Sequence, residues 1–345
     1  MRIVPALLLP FALLVIADAR PATAQAAAPG YAIARRLPVA GDLGWDYIAW
    51  DASGHRLFVS HGMKVDVVDP SGTSLGEIAP TPGVHGIALA QRSGRGFITD
   101  GRTDSITVFD LKTLAVVRTV ASSGQGPDAI LFEPTTNRVF AFNGDGMNAT
   151  VLDAATGDLV GTVALGGAPE FGVADGKGLV YVNLEDKAEV VTIDAKSLSV
   201  VRHATLGTQC TEPTGLAMDR QHRRLFSVCH SKVMVVMSAD DGTILTTLPI
   251  GGRVDGAAFD STAGLALASN GEGTLTVVRA GAGDHYEVAE TITTTPGART
   301  MTIDPATGTL YLPAAKLGPP PAAGGRPSIV PGTFEVLVLT RPQPH

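Results

Sequence analysis

One phrase returns seven times along this 345-residue chain: a short turn, an apolar run, a polar turn and a second apolar run. The copies are GWDYIAWDASGHRLFVS from Gly44, GVHGIALAQRSGRGFIT from Gly83, GPDAILFEPTTNRVFAF from Gly126, APEFGVADGKGLVYVN from Ala168, EPTGLAMDRQHRRLFSV from Glu212, RVDGAAFDSTAGLALAS from Arg253 and GARTMTIDPATGTLYLP from Gly297. Their starting points lie 39 to 44 residues apart. A fixed period of this size marks a repeat architecture, because one copy is too small to bury its own apolar face and must pack against its neighbours.

Most copies are followed by a third run ending in Asp, such as SITVFD, ATVLD or VVTID, then a turn such as DAATGD and a fourth run such as LVGTVALG. Runs of this length, bounded by Gly, Pro, Asn and Asp, are strands joined by tight turns. Four of them per repeat make one propeller blade. The expected fold is therefore all-β, a seven-bladed β-propeller of four-stranded antiparallel blades. Forty glycines and 23 prolines suit the many turns this requires. After Phe334 to Leu339 the chain ends, so the last blade has three strands, while Tyr31 to Val39 is a lone strand before the first copy. The N-terminal strand is expected to complete the last blade and so remove an open edge. Residues 25–345 then form a single propeller domain, with a Pro-rich insertion at 314–333 inside the last blade. That insertion reads equally as a binding arch or as solvated decoration.

Residues 1–24 read as a cleavable signal peptide. Arg2 precedes the apolar run Ile3 to Ala17, and Ala22-Thr23-Ala24 is a small-residue cleavage site. The run is about 15 residues, short of the roughly 20 needed to span a bilayer. A periplasmic or secreted protein is expected, with no integral membrane segment after cleavage. The formal net charge of −7 lacks the basic footprint that phosphate backbones demand, which excludes nucleic acid as a partner. Cys210 and Cys229 are the two cysteines, and an oxidising compartment favours a disulfide between them.

Segments such as GPDAILFEP, GGAPEFGVADGKGLVYVN and GARTMTIDPATGTLYLP resemble the YVTN-repeat, YncE-like propellers over essentially the whole mature chain. The literal Tyr-Val-Thr-Asn is absent, and Tyr181-Val182-Asn183 and Phe97-Ile98-Thr99 are its nearest versions. The resemblance implies an exported propeller and no particular chemistry. More distantly it is similar to propellers that hold haem d1 or copper, so a tetrapyrrole partner is a third and weaker expectation.

In a propeller the first strand of each blade borders the central channel. The residues at its starting end are Asp46, His85, Asp128, Glu170, Thr214, Asp255 and Arg299, and they form the expected ligand-binding ring at the channel mouth. Two carboxylates about 8 Å apart repel by roughly 2 kcal/mol at an effective dielectric near 20. Such a ring raises some carboxylate pKa values or recruits a cation. A divalent metal ion is one candidate, held by some of Asp46, His61, His85, Asp128 and Glu170. The bland alternative is that these side chains cap strand ends in a wet channel. No nucleophile elbow, phosphate loop or HExxH motif occurs. Asp69, Asp110, Asp153 and Asp194, which close third strands, are expected to accept turn hydrogen bonds. Two functions remain in view. The first is a noncatalytic binding protein taking a small ligand, a cation or a cell-envelope protein partner. The second is a metal-assisted lyase or hydrolase using His85 as general acid/base.

Overall fold

The computed structural model describes residues 30–281, 283–319 and 327–342, so the expected signal peptide lies outside the described residues. Seven four-stranded antiparallel sheets form a ring of blades, and the fold is a seven-bladed β-propeller. Blades one to six are each built from four strands consecutive in the chain. Their inner strands are Trp45–Asp51, Val84–Ala90, Pro127–Glu133, Pro169–Ala174, Pro213–Asp219 and Val254–Asp260. Each inner strand packs on the next, and the seventh packs on the first, which closes the circle. Apolar side chains of adjacent blades fill the space between sheets, as where Phe140 and Phe142 of blade three meet Val180, Val182 and Ile193 of blade four.

The seventh blade closes as its sequence requires. Ala32–Pro38 pairs antiparallel with Glu335–Thr340, which pairs in turn with Thr309–Ala314. Tyr31 locks this seam. Its hydroxyl donates to Asp260 Oδ2 at 2.8 Å, and Arg341 Nε donates to the same oxygen at 2.8 Å. First and last segments of the chain are thus tied to one buried carboxylate of blade six.

Two local features depart from a regular repeat. The inner strand of blade seven is only Thr302–Asp304. Arg299 and Thr300 lie outside its ladder because they bond elsewhere: Arg299 N–H folds back to Gly297 O at 2.8 Å, and the Thr300 hydroxyl donates to Asp46 O of blade one. The insertion begins as a short two-stranded arm, with Gly318 N–H donating to Ser328 O and Val330 N–H to Lys316 O. Its tip, residues 320–326, lies outside the described residues. The Asp residues closing third strands behave as expected; Asp194 Oδ1, for example, accepts from the backbone of Lys196 and Ser197. Cys210 and Cys229 form a disulfide, and both are buried.

Candidate functional site

Six inner strands carry a β-bulge at the mouth end. In blade one Trp45 pairs with His61 and Ile48 with Val59, so Asp46 and Tyr47 share an extra position. The same irregularity falls at Val84/Ile87, Pro127/Ile130, Pro169/Gly172, Pro213/Leu216 and Val254/Gly256. A bulge bends the strand and re-aims a side chain. Here it falls on His85, Asp128, Glu170, Thr214 and Asp255, the ring residues of those blades. Neighbouring blades pin the backbone of the ring residues: the Thr99 hydroxyl donates to Asp128 O, Asn183 Nδ2 to Thr214 O, and Ser269 Oγ to Arg299 O. The ring is thereby held rigid from behind.

All seven ring residues line one cavity of about 580 Å³, within the range typical of small-molecule sites. Trp45, Tyr47, Glu185, His230 and Arg253 join them, and Leu317, Pro327 and Ile329 of the insertion arm supply an apolar side. The floor is aromatic. Tyr47 of blade one meets Phe171 of blade four with ring centroids 5.4 Å apart, a contact possible only across the centre of the ring. The equivalent positions in blades two, three, five and six are Gly86, Ala129, Gly215 and Gly256, which leave the room those two rings fill.

Charge is distributed unevenly around the mouth. Arg299 spans two carboxylates, with Nε 2.7 Å from Asp255 Oδ2 and Nη2 3.1 Å from Asp46 Oδ1. The other oxygen of Asp46 lies 2.6 Å from His85 Nδ1. That hydrogen bond leads the upward shift of the His85 pKa, so the ring favours an imidazolium. Blades six, seven, one and two therefore form one continuous, internally neutralised chain of charge.

Blades three and four are less well supplied with counterions. Asp128 Oδ1 is buried without a hydrogen bond, and its nearest cationic atom is His85 Nδ1 at 3.6 Å. Glu170 makes no side-chain hydrogen bond or ion pair among the described residues. Burial first, and then the charge of Asp46, push the Asp128 carboxyl up to about 7. Burial and then Asp128, Asp255 and Glu185 push Glu170 up to about 10. The Tyr47 phenol is also raised well above its ordinary value, by burial and by Asp128, Glu170, Asp255 and Asp46. It is a neutral donor at any physiological pH.

Of the five candidate metal ligands, Asp46, His85 and Asp128 place donor atoms within 4.8 Å of one another. Glu170 stands apart from that trio. His61 does not join the cavity at all. It ends the second strand of blade one with its ring turned into the blade, where Nδ1 lies 2.9 Å from Asp66 Oδ2 and Nε2 accepts from the Leu43 N–H at 3.2 Å. Residue spacing alone could not show that orientation. Tyr47, Glu185 and Arg253 were missed as lining residues. Glu185 follows a second strand, as the position of the loop facing the mouth would have signalled, whereas Tyr47 had no local signal.

No family model matches the chain, and no curated protein matches it in sequence. Solved structures do. A chain of Kuenenia stuttgartiensis hydrazine synthase is similar over 79% of this chain and 94% of its own, with a TM-score of 0.69 and 15% identity. The U3-55K structure is similar over 89% of this chain and 98% of its own, with a TM-score of 0.75 and 12% identity. At such identities the likeness establishes the propeller and nothing about chemistry.

Proposed function

We propose that this chain is a noncatalytic binding propeller whose channel mouth takes a small cationic ligand. The observation that carries the reading is the unequal ring: a cavity in which Asp46 and Asp255 are neutralised by Arg299, while Glu170 has no partner among the described residues and Asp128 has only His85, 3.6 Å away and shared with Asp46. A buried carboxylate without a counterion is costly, and a bound cation offsets that cost. Rigid backing by Thr99, Asn183 and Ser269 supports a preformed site. Catalysis is less well supported, because the Thr214 hydroxyl already donates to Val254 O at 3.1 Å and His85 Nδ1 is engaged by Asp46. The repeat phrases support a place among YVTN-like propellers. The disulfide and the N-terminal apolar run support export to an oxidising compartment.

Isothermal titration with calcium, manganese, zinc and simple ammonium ions, with acetate and phosphate as anionic controls, tests the reading. A cation should bind the wild type, and binding should vanish in the Asp128→Asn/Glu170→Gln double variant. Binding of anions alone, or of a cation that is indifferent to that variant, would sink it.

A further inference from the structure

The cavity holds more information than its charge, because its polar and apolar parts are segregated. On one side Glu170 has no partner among the described residues, and Asp128 has only the His85 imidazole at 3.6 Å, which it shares with Asp46. Leu317, Pro327 and Ile329 provide hydrocarbon on the arm that rises beside the mouth, joined there by the indole of Trp45. Leu317 and Ile329 face each other in the arm's short ladder, so their placement is fixed by backbone pairing. Between these regions lies Tyr47, 92% buried by its 8% exposure, lining the cavity with a hydroxyl that has no hydrogen-bond partner among the described residues. A buried phenol normally finds a partner. An unpartnered one beside a cavity points to a group that arrives with the ligand.

A divalent metal ion answers these features poorly. Its best trio, Asp46, His85 and Asp128, shares Asp46 with the Arg299 guanidinium, and His85 Nδ1 is already hydrogen-bonded to Asp46. A metal there has no use for Tyr47 or for the apolar arm. An ammonium group needs acceptors at several angles and tolerates a neutral hydroxyl among them. Resting on the cation-pocket reading above, we propose that the ligand is a primary amine with an apolar body: its ammonium sits between Asp128 and Glu170 over the Tyr47 hydroxyl, and its hydrocarbon lies against Leu317, Pro327 and Ile329.

Four consequences follow from that pose. Affinity should grow with chain length, each buried methylene tightening binding by about fourfold. Affinity should also rise with pH between about 7 and 9, because the two carboxyls must shed protons held at about 7 and about 10 while an alkylammonium, like a lysine, keeps its charge to about 10. Binding near neutral pH should release protons to the buffer. An alcohol or carboxylate of the same length should not compete.

The experiment is a calorimetric titration at pH 8 of the mature chain with methylamine, butylamine, hexylamine and phenethylamine, with 1-hexanol, hexanoate, calcium and zinc alongside. The wild-type length series needs no variant. Tyr47→Phe, checked for native circular dichroism, should weaken hexylamine about tenfold or less, the worth of one hydrogen bond. Leu317→Ser should flatten the length dependence. Amine binding that is independent of chain length overturns the proposal. Binding of zinc or calcium with no amine binding overturns it too, but leaves the cation-pocket reading standing. If neither amines nor metals bind, both fall.

Discussion

Glu170→Gln offers a direct measure of how far the unpaired side of the ring is held against its own stability. The folded protein raises this carboxyl from 4.5 to about 10, chiefly by burial and then by the neighbouring carboxylates. Between those values the native state keeps a proton that the unfolded chain has released. Stability is therefore full below the unfolded pKa and falls as pH rises through the window towards the folded one. At pH 7 the distance above 4.5 is about 2.5 pH units, which at 1.36 kcal/mol each sets an upper bound of about 3.4 kcal/mol. Glu170 is half-buried and open to a wet cavity, so screening reduces the figure to roughly 1–2 kcal/mol. Glutamine has the shape of the neutral acid and pays no such penalty. With an unfolding entropy of about 2.1 cal/mol/K per residue, a chain of this length should gain roughly 1 to 3 °C in Tm. Thermal melts of wild type and variant at pH 7.5 and pH 4 provide the assay. The gain should be present at pH 7.5 and nearly absent at pH 4, and the same variant should lose cation affinity. A loss of stability at pH 7.5, or an equal gain at both pH values, refutes the reasoning.

Other perturbations address the frame that holds the site. Replacing Cys210 and Cys229 by serine opens a cross-link across 19 residues, and the chain-entropy argument puts the loss at roughly 3 kcal/mol, read as a lower denaturation midpoint that reductant reproduces in the wild type. Asp260→Ala leaves the Arg341 guanidinium at the ring seam without its carboxylate, while the Tyr31 hydroxyl keeps only Gly308 O at 2.8 Å, and should cost about 3–5 kcal/mol and speed proteolysis near the N-terminal strand. Burial alone would raise the Asp260 carboxyl, but hydrogen bonds from Arg341, Thr262 and Tyr31 outweigh it and hold the pKa below its ordinary value. The seam therefore contributes above about pH 4 and loosens as pH falls through the lowered pKa, which a melt series below pH 4 should register in the wild type and not in the variant. Gly86→Ala places a Cβ 2.7 Å from Asp128 O and 2.9 Å from Ile130 N. Backbone must move to admit it, so a destabilisation of about 1–3 kcal/mol should accompany a weakened cation site.

Blade number, ring closure, the disulfide and the ring membership of Asp46, His85, Asp128, Glu170, Thr214, Asp255 and Arg299 were legible in the sequence, because each follows from a period and a position within it. Contacts made without regard to the period were not. The bulges that aim six of those side chains carry no residue signature, since His85, Thr214 and Asp255 differ in chemistry yet occupy the same kink. The inner strand of blade seven read as a full strand, and it is short because Arg299 and Thr300 spend their bonds on blade one. His61 read as a mouth residue by position, and Asp66, five residues on, turns it inward. Tyr47 is the clearest case. It follows a ring residue, as Gly86, Ala129, Phe171, Gly215 and Gly256 do, and nothing local distinguishes it from a core tyrosine. Its role exists only because the ring brings blade one opposite blade four, so that Tyr47 and Phe171 close the channel beneath the carboxylates. That closure decides the chemistry of the mouth. An open channel would hydrate Asp128 and Glu170 from both sides and let their pKa values relax, whereas a floor of two aromatic rings keeps them desolvated and raised. The same two rings that make the cavity blind therefore make its unpaired side a place where a cation gains most by binding.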